Sequence, residues 1–137
     1  MSPTHTEFDV PAVVESLDEV QDRFGAWWDG LGIDDVRLRF GFETAVAEIA
    51  ANIVEHTRRT DQEAGRRYTV ELDATEDELV AVLTDNGLPA DVDLAAVTMA
   101  DAAEESGRGL ALAIAALDRL EHRHEGGHNI WTLACSR

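Results

Sequence analysis

The stretch Glu43–Thr57, ETAVAEIAANIVEHT, reads as a helix with an unusual polar edge. With Phe42 in front of it, Val46, Ile49, Ala50 and Ile53 return at helical spacing and make one apolar stripe. A second line runs beside that stripe. Glu48, Asn52 and His56 fall four residues apart, so an acid, an amide and an imidazole share one edge of the helix. Alone, that edge reads as the polar side of an amphipathic helix. It also suits the wall of a pocket.

Upstream, EFDVPA is a short strand candidate, and ESLDEVQDRFGAWWDGLG predicts a helix. Leu17, Val20, Phe24, Trp27 and Leu31 form its apolar face, Ser16 and Glu19 are spaced as a capping box, and Gly30 and Gly32 stop it. The tryptophans read most simply as core or interface anchors. Asp34 and Asp35 suit the cap of the next helix, which runs to about Thr57, with RRTDQEAGRR as a loop after it. Downstream, RYTVELDA alternates Tyr68, Val70 and Leu72, the period of a half-buried strand. ELVAVLTDNG is a continuous apolar strand with a central place in the sheet. GRGLALAIAALDRL predicts a helix starting in glycine, and EHRHEGGHNIWTLAC a closing hairpin turning at Gly126–Gly127. The order is strand, two helices, two strands, loop, helix, two strands. It implies an α+β two-layer sandwich: a mixed, mostly antiparallel sheet covered on one face by helices.

The 137 residues suit one domain spanning 1–137, and 45% hydrophobic content is that of a globular chain. No apolar run reaches the roughly 18 residues of a membrane span. The start, MSPTHTEFDV, has neither the basic end nor the apolar segment of a secretory signal, so a cytoplasmic location is expected. Cys135 is the single cysteine, which excludes an intrachain disulfide and fits a reducing compartment. The formal charge is −17, and every one of the 11 basic residues is Arg. Such a chain is repelled by nucleic acid and by anionic membranes.

Two downstream motifs change the weight of the Glu48–Asn52–His56 line. TDNG closes the central strand with Asp85 at its end, and Gly87 lets a ligand approach the backbone. Taken by itself this is a tight turn. SGRGL places Gly107 and Gly109 around Arg108 at a helix start, where free N–H groups and the helix dipole favour phosphate. Taken by itself this is a loop-to-helix joint. The three together, in this order and on these elements, resemble the N, G1 and G2 boxes of the Bergerat-type ATP-binding fold shared by gyrase and histidine kinases. The flanks VPAVVESLDEVQDRFGAWWDGLGI, AVAEIAANIVEH, GRGLALAIAALDRLEH and GGHNIWTL narrow the resemblance to bacterial anti-sigma factor serine/threonine kinases.

That resemblance implies a role for each matching residue. Asn52 matches the asparagine that holds Mg²⁺ against the ATP phosphates, and Glu48 the acid that activates the attacking hydroxyl. Asp85 matches the aspartate that recognises the adenine amino group, with Gly87 under the base. Gly107, Arg108 and Gly109 match the end of the ATP lid and the phosphate-facing helix start, which makes Leu88–Ser106 the candidate lid. Asn129 stands where many relatives carry Thr near the adenine, and Pro89 where the G1 box usually has Gly or a small residue. The implied function is that of an ATP-binding anti-sigma factor in transcription regulation. It is a kinase toward a Ser or Thr of an anti-sigma-factor antagonist, with a sigma factor as second partner and often a homodimer. A non-catalytic nucleotide-binding switch and a plain protein-interaction module are the rival readings. For His122, His124 and His128 a transition-metal site and an exposed hairpin are both open, the second being favoured.

Overall fold

The structure is a computed structural model that describes residues 4–60, 65–87, 111 and 115–137. The elements are β1 (His5–Pro11), α1 (Ser16–Asp29), α2 (Val36–Thr60), β2 (Arg67–Ala74), β3 (Glu78–Asp85), β4 (Arg119–Glu125) and β5 (His128–Ser136). The strands form one five-stranded sheet in the order β1-β2-β3-β5-β4. Every pairing is antiparallel among the described residues, so the expectation of a mixed sheet resolves to its antiparallel part.

Period-two alternation decides which face is covered. Phe8 and Val10 of β1, Tyr68, Val70 and Leu72 of β2, Leu79, Ala81 and Leu83 of β3, and Trp131 and Leu133 of β5 are all buried. Their neighbours on the opposite face are half-buried or exposed, apart from the buried Ala134 of β5. β3 holds the central place expected of it. Its apolar run still alternates, with Val80 and Val82 on the less covered face.

α1 and α2 lie on the apolar face. The stripe read from the sequence, Phe42, Val46, Ile49, Ala50 and Ile53, is buried throughout. Phe24 packs edge-on to Trp27 at 5.5 Å and near-parallel to Trp28 at 6.2 Å, and lies 6.0 Å from Phe42 across the helix pair. Each such pair is worth about 0.5–1.5 kcal/mol beyond its buried area. The Trp27 indole N–H donates to the Thr4 carbonyl at 3.1 Å and ties the helix to the chain entering β1. The tryptophans are core anchors.

One expected cap forms and the other is corrected. Asp35 Oδ1 accepts the Leu38 N–H at 3.0 Å and caps α2 as expected. The Ser16–Glu19 capping box does not form. Residue Glu15 at the N-cap is already helical and makes no side-chain cap bond. The Ser16 hydroxyl instead donates to the Val13 carbonyl at 2.7 Å and meets the buried Tyr68 hydroxyl at 2.7 Å. Because Ser16 spends its proton on Val13, Tyr68 donates to Ser16. Burial, the larger influence, raises the Tyr68 pKa against the opposing effect of that bond.

Two boundaries differ from the reading. α2 continues through Thr60, three residues past the expected end, with Arg58 paired to Glu55 at 2.8 Å. The helix expected over Gly107–Leu120 is over before Arg119. Arg119 and Leu120 pair with Ala134 and Leu133 in β4. The Asp118 N–H donates to the Ala134 carbonyl at 2.9 Å, and its carboxylate accepts the Ser136 N–H, so β5 captures the chain there. The hairpin turns at Gly126 and Gly127 as read, both at positive φ (61° and 81°), the conformation that selects glycine in a two-residue turn.

Ser16→Ala removes both the donor to Val13 and the acceptor for a buried hydroxyl. We expect it to lower stability by about 2 kcal/mol in urea unfolding, against about 1 kcal/mol for Tyr68→Phe, which leaves the Ser16–Val13 bond in place. No loss in Tyr68→Phe would show that the Tyr68 hydroxyl is not held by Ser16.

Candidate functional site

The alternation that places Leu79, Ala81 and Leu83 against the helices places Asp85 there as well. A carboxylate thus occupies the last core-facing position of the central strand, 4% exposed. Its bonds are one-sided. The Gly87 N–H donates to Oδ1 at 2.8 Å, and the Asn129 amide N–H donates to the same oxygen at 2.9 Å. Among the described residues Oδ2 accepts no hydrogen bond, and Asp85 has no ion-pair partner.

Sheet register supplies Asn129. It stands opposite Asp85 on β5 and is fully buried. Its amide oxygen lies 3.0 Å from His122 Nε2, and the His122 ring rests against Trp131 with centroids 4.3 Å apart. His128 Nδ1 lies 3.3 Å from the Asp85 carbonyl. Asn86 ties this strand end to β2: its side-chain oxygen accepts the Arg67 N–H at 3.1 Å, and its carbonyl accepts Arg66 Nη1 at 2.7 Å.

α2 closes the site from above. Thr57, one turn past Ile53 on the apolar stripe, is 8% exposed. A Cβ at Gly87 would sit 3.3 Å from Asp85 Oδ1 and 3.9 Å from the Thr57 hydroxyl. Glycine therefore leaves a small cradle between strand end and helix. Glu48 and Asn52 are half-buried on the same edge of α2, and neither side chain has a hydrogen-bond or ion-pair partner among the described residues. His56 is half-buried one turn further on. A groove of about 430 Å³ between α1 and α2 is bordered by Glu48, Leu17, Val20 and Phe40, but not by Asn52 or Asp85.

The structure therefore brings Asp85, Gly87 and Asn129 into direct contact. It keeps Glu48 and Asn52 together on α2, separate from that network. Gly107, Arg108, Gly109, Pro89 and the candidate lid Leu88–Ser106 lie outside the described residues. His122 and Thr57 are additions. Thr57 was visible as a hydroxyl on an apolar stripe; His122 had no local signal. His122, His124 and His128 do not form a metal-ligand group. Among the described residues the one group with ligand atoms within 4.8 Å of one another is His5, Glu71 and Asp73. There the His5–Asp73 hydrogen bond of 2.7 Å across β1 and β2 raises the His5 pKa. Burial pushes the Cys135 thiol up, in keeping with a packing role.

The donor set fits a purine nucleotide. A buried carboxylate with one oxygen unclaimed among the described residues can accept an exocyclic amine, and a glycine beside it leaves room for a flat ring. Comparison with known proteins agrees. Residues 10–134 match the family model of the histidine kinase-like ATPase domain. The fold is similar to that of the crystal structure of the RsbU and RsbW domains of Rv1364c from Mycobacterium tuberculosis, with TM-score 0.67 and 21% identity over 98% of this chain. This chain spans only 33% of that one. It is also similar to a chain in the crystal structure of the SiaB–SiaC complex from Pseudomonas aeruginosa, with TM-score 0.66 and 13% identity over 96% of this chain and 89% of that chain. Comparison with curated proteins gave no match. The chain belongs to the histidine kinase-like ATPase domain family, and ATP is the ligand that family implies. The resemblance carried by the three glycine- and asparagine-bearing motifs is borne out at that level.

Gly87→Ala would put a methyl group into the cradle at 3.3 Å from Asp85 Oδ1. We expect ATP affinity, measured by calorimetry, to fall by about 10-fold while the unfolding midpoint barely moves. Unchanged affinity would remove Gly87 from the ligand's path.

Proposed function

We propose that this protein is a cytoplasmic ATP-dependent serine/threonine kinase that also acts as an anti-sigma factor. It sequesters a sigma factor and phosphorylates a Ser or Thr of an anti-sigma-factor antagonist. The observation that carries the nucleotide part is the Asp85 carboxylate, buried yet bonded through Oδ1 alone among the described residues. The family match and the fold shared with an RsbW-containing chain and a chain of a two-protein complex support the regulatory part.

In this reading Asp85 accepts the adenine amino group through Oδ2, and Gly87 leaves room for the ring. Asn129 acts through Asp85 rather than on the base. Asn52 would hold Mg²⁺, which prefers oxygen ligands and supplies charge neutralisation at the phosphates. Gly107, Arg108 and Gly109 take the phosphates on the strength of their motif. Phosphoryl transfer needs positioning and charge neutralisation more than covalent chemistry. The base is Glu48, one turn from Asn52 and without a competing partner, able to accept the proton of a substrate hydroxyl. The protein partner delivers that hydroxyl to the exposed edge of α2.

Complete absence of lysine favours a second reading, a nucleotide-binding switch without turnover, because Arg108 is then the motif's sole cation. Two variants decide. Asn52→Ala should abolish Mg²⁺-dependent ATP binding. Glu48→Gln should bind ATP like the parent and lower labelled-phosphate transfer to the antagonist by at least about 100-fold, the size of a general-base contribution. Transfer at the parental rate by Glu48→Gln would remove the base. No transfer by the parent protein to its antagonist would favour the switch.

A further inference from the structure

The bonds around Asp85 run in one direction, and that direction has a consequence at β4. An ionised carboxylate only accepts hydrogen bonds. Whatever faces Asp85 Oδ1 must therefore be a donor, and the amide of Asn129 turns its nitrogen to it at 2.9 Å. The amide is planar, so its oxygen then points the other way, to His122 Nε2 at 3.0 Å. That oxygen only accepts, so Nε2 must carry hydrogen. The neutral Nε2–H tautomer and the imidazolium both satisfy this, and the Nδ1–H tautomer does not. The chain reads His122 Nε2–H to Asn129 Oδ1, Asn129 Nδ2–H to Asp85 Oδ1.

We propose that His122 is a positioning residue for nucleobase recognition. It holds the Asn129 amide so that one of its two N–H groups stays on Asp85 Oδ1, leaving Asp85 Oδ2 as the acceptor shown to the base. This rests on the reading of Asp85 as the base contact. Three features make His122 fit for the task. It lies on β4 directly opposite Trp131, and its ring is packed on the indole at 4.3 Å. Asn129 is fully buried, so water is a poor substitute for the imidazole donor. Gly87 supplies the second N–H to Oδ1, so both donors share one oxygen.

The consequence is specificity. With one Asn129 N–H bonded to Asp85 Oδ1 and the amide oxygen held by His122, the group that the pair presents to a base through Asp85 Oδ2 is an acceptor. A purine with a 6-amino group pairs with it, and one with a 6-oxo group meets a carboxylate oxygen. Without His122 the Asn129 amide is freer to turn its N–H toward the base, where a 6-oxo group accepts it. Unpaired buried polar groups are what make hydrogen-bond selection strict.

Two measurements test this. In ligand-free protein, ¹⁵N NMR of His122 should show the Nε2–H form; a neutral Nδ1–H tautomer overturns the proposal whether or not nucleotide binds. Then ATP and ITP affinities are compared in the parent, His122→Phe and His122→Gln. Phe keeps a ring for Trp131 but has no donor, and Gln places an amide N–H near the position of Nε2. The ATP-over-ITP preference should fall by about 10-fold in His122→Phe and stay within about 3-fold of the parent in His122→Gln. An equal loss for both nucleotides in a folded His122→Phe, or an unchanged preference, overturns it. Should His122→Phe fail to fold, the tautomer and the preference retained by His122→Gln decide. A parent protein that shows the Nε2–H form but binds neither nucleotide sinks the base-contact reading and its specificity claim, while the lock on Asn129 stands.

Discussion

A sheet with one apolar face cannot leave that face in water. Five antiparallel strands here turn Phe8, Val10, Tyr68, Val70, Leu72, Leu79, Leu83, Trp131 and Leu133 to one side, and α1 and α2 cover them. Each large side chain so buried is worth about 1.5–3 kcal/mol, so the covering of this face dominates the stability of the fold. The helices are joined to one another by the Phe24, Trp27, Trp28 and Phe42 rings, which fix α2 over the centre of the sheet. Placing α2 there sets Thr57 above the end of β3, and with it the position of the site.

The site is what happens when that core-facing alternation runs out. Leu79, Ala81 and Leu83 are followed on the same face by Asp85, and Leu133 and Trp131 on β5 by Asn129. Both polar residues sit at the rim of the apolar layer, where hydrophobic packing gives way to hydrogen bonding. A buried carboxylate is costly unless its oxygens are engaged. Two N–H groups engage one of them, and a ligand amine is the natural partner for the other. Glu48 and Asn52 stand on the edge of α2 for a different reason, helical spacing, and form the separate, phosphate-directed half of the proposed machinery. In the proposed function, the strand end carries recognition and the helix carries chemistry.

How much of this was legible follows from how local each signal is. The α2 stripe, the alternation of β2 and the Gly126–Gly127 turn are periodic or conformational signals contained in a few adjacent residues, and each stands as read; β3, read as a continuous apolar run, alternates in the sheet. Asp85 and Gly87 were legible because a carboxylate at a strand end followed by glycine is a local pattern. What escaped was decided by tertiary partners. The Ser16 hydroxyl was read as a cap and is taken by Val13 and Tyr68, which lies 52 residues away. Arg119 and Leu120 carry a helical pattern, yet β5 captures them through Asp118. His122 looked like an exposed hairpin residue, and only the register of β4 on β5 brings it to Asn129.

The central claim is that Asp85 reads adenine through the oxygen its neighbours leave unclaimed. Its decisive test is a crystal structure of the protein with Mg²⁺ and a non-hydrolysable ATP analogue. The account predicts the adenine amino group within hydrogen-bond distance of Asp85 Oδ2, with Gly87 and Asn129 still donating to Oδ1. An adenine bound elsewhere, or a base whose amino group displaces Asn129 from Oδ1, would contradict it.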